Sequence, residues 1–310
     1  MSIMKRATSG HTAGPTGGHT AGATGGHTAG VIGYPLAHSL SPTIFQAAFD
    51  AAGLETTYEA WPTKEEQLEG RVNSLRGDDI YGANVTIPYK EAVIPMLDRI
   101  DEDAESIGAV NTIVHDGGDL IGYNTDLAGF NRALKEDAEF DPSRKHTAIL
   151  GSGGAARAVA HGLVQAGATT VLLAGRKPGK LEAIVASLRP VTAPGVTISW
   201  CYWHDGTFLA AIPKADLLVN CTPVGTRGSD TEGESPIEAE NMPTGGVVFD
   251  LVYNPPKTPL LKLGAERGSK AVSGLGMRVY QAAESFKLWT GQDADTAAML
   301  ETGRKALSAK

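Results

Sequence analysis

Cysteine is almost missing: Cys201 and Cys221 are the only two in 310 residues, too few for a disulfide framework and not spaced as a metal knuckle. They suit a reducing compartment, so a cytoplasmic location is expected and no metal site. Basic blocks are missing too, and the formal net charge is −8, which argues against nucleic acid or an acidic membrane leaflet as partner. No run of about 18 apolar residues is there to span a bilayer. Lys5 and Arg6 are followed by Gly, Thr and His rather than by an apolar stretch, so no signal peptide is expected. What is present is an ordinary globular mixture, 42% hydrophobic and 20% charged. Single cores rarely grow beyond about 250 residues, so two domains are expected.

Part of the glycine surplus, 38 residues in all, lies in three copies of Gly-His-Thr-Ala-Gly beginning at Gly10, Gly18 and Gly26. Such a segment cannot offset an ordering cost of about 1–2 kcal/mol per residue, so residues 1–30 are expected to be a disordered low-complexity tail. His11, His19 and His27 could hold a metal only weakly, and a solvated extension is the preferred reading.

Order is expected to begin at Val31-Ile32-Gly33. A helix follows in which Ile44, Phe45, Ala48 and Phe49 share a face, with Ser41 as its cap, Pro42 in its first turn and Gly53 at its end. Strand-like runs at 83–87, 110–114 and 120–123, the last two joined across Asp116-Gly117-Gly118 as a hairpin, complete an α/β domain over 31–127. A linking helix near Leu127–Lys135 leads to residues 128–273, where the apolar runs 148–150, 171–173, 217–219 and 247–249 alternate with helical segments. That is the pattern of a Rossmann-like, doubly wound parallel sheet. The last helices, around Arg278–Trp289 and Asp295–Leu307 within residues 274–310, have no strand after them and are expected to return to the first domain.

Gly151-Ser152-Gly153-Gly154-Ala155-Ala156 follows a strand and opens a helix, the context of a dinucleotide-binding turn. Gly151 permits the tight turn, Gly153 lets backbone N–H groups approach a pyrophosphate, and Ala156 allows close packing beside the positive helix end. About 20 residues further on, a carboxylate would bind a ribose 2′-hydroxyl and repel a 2′-phosphate. The chain has Arg176 and Lys177 there instead, a planar fork and a point charge that favour NADP over NAD.

Gly33-Tyr34-Pro35-Leu36-Ala37-His38-Ser39-Leu40-Ser41-Pro42 sets two hydroxyls at a helix N-terminus, a place suited to a carboxylate. Here the chain resembles the shikimate dehydrogenase family, with its Gly-x-Pro-x-x-His-Ser-x-Ser-Pro loop. The resemblance continues through Asn84-Val85-Thr86-Ile87-Pro88-Tyr89-Lys90, Gly108-Ala109-Val110-Asn111-Thr112 and Gly122-Tyr123-Asn124-Thr125-Asp126. It runs on through the glycine turn to Asp250-Leu251-Val252-Tyr253 and to Gly274-Leu275-Gly276-Met277-Arg278-Val279-Tyr280-Gln281. Seven segments in one order over 31–310 are far more specific than any one of them.

The resemblance implies Lys90 and Asp126 as the catalytic pair, the amine exchanging the hydroxyl proton and the carboxylate orienting it. It implies Ser39, Ser41 and Tyr253 for a substrate carboxylate with Thr86 nearby, and Asn111 and Gln281 for ring hydroxyls. Thr222, in Asn220-Cys221-Thr222-Pro223, would face the nicotinamide ribose, and Gly274 and Met277 would line the nicotinamide pocket. The activity implied is reversible NADPH-dependent reduction of 3-dehydroshikimate to shikimate, in aromatic amino-acid biosynthesis. NADP-using members commonly show Asn-Arg-Thr or Asn-Arg-Ser where this chain has Gly175-Arg176-Lys177, so an NAD-dependent quinate or dual quinate/shikimate dehydrogenase stays open as an alternative. A catalytically silent ligand-binding protein is disfavoured by retention of Lys90 and the glycine turn. Beyond the small-molecule substrate no partner is implied; a homodimer is compatible with a sequence that does not fix oligomeric state.

Overall fold

A computed structural model describes residues 26–37 and 39–309. The front half is a six-stranded sheet in the order β2-β1-β3-β5-β6-β4, with β1 at His27–Gly33, β2 at Thr56–Pro62, β3 at Ile80–Val85, β4 at Arg99–Ile100, β5 at Thr112–Asp116 and β6 at Asp119–Tyr123. β1 runs parallel to β2 and β3, whereas β5 is antiparallel to β3 and β6. The β5–β6 hairpin turns through Gly117 and Gly118, both at positive φ, as a two-residue hairpin of this twist requires. Three helices accompany these strands: α1 (Ser41–Ala51), α2 (Leu68–Asn73) and α3 (Glu102–Ile107).

The tail differs from the expectation in its third repeat, since β1 starts at His27 rather than at Val31. The reason is packing. Ala29 is fully buried, a side chain at Gly30 would collide with the Trp61 ring, and the His27 ring stacks on Tyr81 at 4.5 Å. With a strand on each side, small residues are an advantage to this segment. The first two repeats, with His11 and His19, lie outside the described residues. A second difference concerns Ser41, which is the first residue of α1 and not its cap; Leu40 takes the capping position and no side chain caps the helix. Gly53, at φ 65°, lies just past the helix end as expected.

Helix α4 (Thr125–Glu136) leads from the first sheet into the second, which is parallel throughout in the order β12-β11-β10-β7-β8-β9. Its strands are β7 (His146–Leu150), β8 (Thr170–Gly175), β9 (Thr197–Tyr202), β10 (Leu217–Asn220), β11 (Val247–Asp250) and β12 (Lys270–Ser273). Helices α5 (Gly154–Gln165), α6 (Pro178–Leu188), α7 (Gly206–Ala211) and α8 (Pro259–Glu266) connect them. Strand order reverses between β7 and β10, the switch point at which open sheets of this kind bind ligands. Fully buried β7 and β10 residues such as Leu150 and Val219 explain the uninterrupted apolar runs.

The chain then comes back. Helices α9 (Leu275–Thr290) and α10 (Thr296–Ser308) pack on α4 and α1. Gly129 of α4 lets α9 come close, because a side chain there would lie 2.7 Å from the Gln281 backbone nitrogen. One continuous core, with Phe45, Phe130, Phe249 and Phe286 all fully buried, joins elements from both sheets and the returning helices.

Candidate active site

The glycine turn sits between β7 and α5. Gly151 adopts φ 122°, a conformation that favours glycine, and lies tightly against Cys221, 3.2 Å from where a side chain would begin. Gly153 caps α5 with its front open: a Cβ there would meet nothing within 4 Å. Backbone N–H groups at the positive end of a twelve-residue helix therefore face free space, which fits a pyrophosphate. Ala156 is fully buried, as close packing requires. Gly154 is one point of contact with the front half, since a Cβ there would sit 3.1 Å from the Lys90 side chain.

Lys90 follows β3 and pairs with Asp126 through its ammonium, both side chains being largely withdrawn from solvent. Asp126 occupies the first turn of α4, where Asn124 accepts hydrogen bonds from the Asp126 and Leu127 backbone N–H groups and the helix dipole favours a carboxylate. Its second oxygen accepts from Asn111 Nδ2 at 2.9 Å. The same amide donates to Gln281 Oε1 at 3.2 Å and Thr125 Oγ1 at 2.9 Å, while Asn111 Oδ1 accepts from the Thr125 N–H at 2.8 Å. A buried ion pair of this sort costs about 3–5 kcal/mol to break from one side, so the two groups hold each other in place. Lys90, Asp126, Asn111 and Gln281, the expected reaction-end residues, are thus brought together next to the glycine turn.

The expected carboxylate end lies where the loop before α1 meets the first turn of α9. Ser39 Oγ donates to Ser41 Oγ at 3.1 Å, and Thr86 packs into the space left by Gly33, whose Cβ would fall 2.4 Å from the threonine methyl. Arg278, one helical turn before Gln281, donates to Ser41 Oγ. Several residues that sequence reasoning passed over connect the two ends. The Tyr58 hydroxyl donates to Asn84 Oδ1 at 2.7 Å, and Asn84 Nδ2 donates to Ser285 Oγ at 3.0 Å and Thr112 Oγ1 at 3.1 Å. Ser285 lies 3.2 Å from Thr125 Oγ1, which closes the path to Asn111 and Asp126. Burial pushes the Tyr58 hydroxyl well above its usual range, an effect that the facing Arg278 and Ser41 oppose. Asn84, Thr112 and Thr125 stood inside matched segments without a role; Ser285 and Tyr58 carried no local signal.

The remaining expected residues are more dispersed. Arg176 and Lys177 project from the end of β8 and are exposed; the Arg176 guanidinium stands 6.0 Å from the Trp203 ring centre. Thr222 folds back on Asn220, donating to its Oδ1 at 2.7 Å, and Asn220 in turn donates to the buried Asp250 at 2.9 Å. Burial, and after it the charges of Asp250 and Asp126, push the Cys221 thiol well above its ordinary range. Gly274 touches the Leu251 backbone so closely that a Cβ would lie 2.3 Å from its oxygen, and Met277 is buried on the first turn of α9. Tyr253 is half-buried and, among the described residues, makes no side-chain hydrogen bond to Ser39 or Ser41.

A nucleotide-type glycine turn at a switch point, facing a buried amine–carboxylate pair, defines an oxidoreductase of the nicotinamide-dependent class. Residues 31–113 match the model of the shikimate dehydrogenase substrate binding domain, and residues 274–302 that of the shikimate 5'-dehydrogenase C-terminal domain. The chain belongs to the shikimate dehydrogenase family: it is 43% identical to the shikimate dehydrogenase (NADP(+)) of Methanopyrus kandleri over 87% of its own length and 92% of that protein's. The crystal structure of shikimate 5-dehydrogenase from Thermus thermophilus in complex with NADP(H) and shikimate is similar with a TM-score of 0.80 and 38% identity, covering 91% of this chain and 100% of that one. Quinate dehydrogenase from Corynebacterium glutamicum in complex with NAD has a TM-score of 0.81 at 29% identity, covering 90% and 99%.

Proposed function

We propose that this protein is a shikimate dehydrogenase that interconverts 3-dehydroshikimate and shikimate with NADPH and NADP, in the pathway to aromatic amino acids. The observation that carries the reading is the contact of Gly154 with Lys90 while Lys90 is paired to Asp126. When bound, the nicotinamide supplies or accepts the hydride. Lys90 holds the proton that the ketone oxygen takes on reduction and receives it back from the alcohol on oxidation. Asp126, fixed by Asn111 and the start of α4, aims the ammonium and accepts from a neighbouring ring hydroxyl. Asn111 and Gln281 present amides to the ring hydroxyls. An analogue without those hydroxyls would strand buried polar groups, which is how such a site selects.

Ser39, Ser41 and Tyr253 take the carboxylate. Thr222, Gly274 and Met277 stand on the β10, β12 and α9 side of the switch point, where the nicotinamide half of the cofactor would lie. Arg176 and Lys177 take the 2′-phosphate. The free thiols of Cys201 and Cys221 are in keeping with a reducing cytoplasm.

Nicotinamide absorbance recorded with shikimate and with quinate, each against NADP and NAD, tests the reading. Turnover dominated by shikimate with NADP is the expected outcome. Preferential turnover of quinate with NAD would replace it with the quinate reading, which the loss of polar neighbours around Arg176 keeps in view; no turnover in any combination would overturn both.

A further inference from the structure

Arg278 has no part in the roles assigned so far. It lies on the first turn of α9, half-buried, and its guanidinium points inward to Ser41, which is 1% exposed. Ser41 is bonded to Ser39, and the Tyr58 hydroxyl faces the same spot. Among the described residues, no aspartate or glutamate forms an ion pair with Arg278, although eleven such pairs occur elsewhere, most of them on the surface. A guanidinium partly withdrawn from solvent without an anion has lost some solvation, which a counter-charge would restore. Among the described residues, no ion pair provides one. Of the hydroxyls beside it, Tyr58 donates to Asn84 and Ser39 to Ser41, Ser41 keeps a proton to give, and none carries negative charge, which suits a carboxylate.

Spacing along the helix agrees. Arg278 and Gln281 are three residues apart and share one face of α9, a rise of about 4.5 Å, comparable with the width of a six-membered ring. Gln281 bonds to Asn111 beside the Lys90–Asp126 pair. One helix face therefore presents a cation at the serine end of the cleft and an amide at the reacting end.

We infer that Arg278 is a specificity-determining residue that forms a charge-assisted, forked pair with the substrate carboxylate alongside Ser39 and Ser41. The planar fork matches a carboxylate in two parallel, charge-assisted hydrogen bonds, adding a positive charge that neutral serine hydroxyls lack. It selects ring acids over neutral polyols and fixes the end-to-end orientation of the ring in the cleft. This inference rests on the shikimate reading and sharpens it.

The test compares shikimate with its neutral methyl ester in the wild type and in Arg278→Leu, at saturating NADP. The expected result is a fall of about 10–100-fold in kcat/KM for shikimate, carried mainly by KM, with the ester changed less than about threefold and NADP affinity unaltered. Arg278→Lys should recover part of the loss for the acid. Should the leucine variant fail to fold, Arg278→Gln keeps a donor to Ser41 without the charge and must give the same acid-against-ester contrast. Equal losses for acid and ester would mean that Arg278 only supports the cleft, and unchanged kinetics with the acid would mean that it does not touch the substrate; either result overturns the inference while wild-type turnover of shikimate leaves the function standing. A wild type inactive on shikimate overturns the functional reading itself, and the inference with it.

Discussion

Around Asn111 the polar atoms are committed to one another before any ligand arrives, whereas at the end of β8 Arg176 and Lys177 extend into solvent with little around them. Asn111, Asp126 and Gln281 are each less than 5% exposed, with Asn111 bonded to both of the others, and the network runs through Asn84 and Ser285 to the core. The contrast separates two jobs. Groups that must meet a reacting atom within hydrogen-bond reach are preorganised by burial. Groups proposed only to discriminate one phosphate need no such scaffold, so a change of cofactor preference is expected to have little effect on the fold.

That division can be broken at several points. The largest effect is expected for Lys90→Ala, a loss in kcat of about 10²–10⁴-fold, the usual contribution of a positioned acid–base group. Calorimetric titration with NADP should meanwhile give an affinity within about twofold of wild type. Next is Asn84→Ala, which strands the Tyr58 hydroxyl and weakens the ties of Thr112 and Ser285. Leaving a buried polar group partnerless costs about 1–3 kcal/mol, so the thermal midpoint should fall by several degrees, by an amount unaffected by which cofactor is present.

Arg176→Ala should lower kcat/KM with NADP about 10–100-fold, the range of a charge-assisted contact, and leave both NAD kinetics and the thermal midpoint essentially unchanged. An equal loss with both cofactors would place the phosphate elsewhere. The smallest effect concerns pH. Burial raises the Asp250 carboxyl from 3.8 to about 6, against hydrogen bonds from Thr258, Val252 and Asn220 that pull it down. Between those values the folded chain keeps a proton that the unfolded chain has released, so this group's contribution to stability falls as pH rises from about 4 through 6. Urea unfolding of Asp250→Asn across that window should show a flatter profile than wild type.

Much of the proposed site was legible in the sequence because its residues travel with their own local context. The glycine turn lies between an apolar strand and a helix, Lys90 follows a strand and a proline, and Asp126 opens a helix behind Asn124. Other members depend on contacts far along the chain. Tyr58 and Asn84 meet across 26 positions, and Asn84 meets Ser285 across 201; no period or turn residue marks such partners. Arg278 fell on a position of its segment that the family pattern leaves free. The early start of β1 was hidden for a different reason: composition argued for disorder in the whole repeat, while the third copy is ordered by the strands on either side of it and by the Trp61 ring that needs its glycine. Short strands such as β12, with only Val272 buried, gave too little alternation to be recognised.

A crystal structure of the protein with NADP and shikimate tests most directly whether the front-half amine and the back-half glycine turn serve one site. The account predicts a ring hydroxyl within about 2.6–3.2 Å of Lys90 Nζ, its neighbour on Asp126, and the cofactor phosphates against the N-terminal turn of α5. Shikimate bound away from Lys90, or phosphates held anywhere other than at Gly151–Gly154, would contradict it.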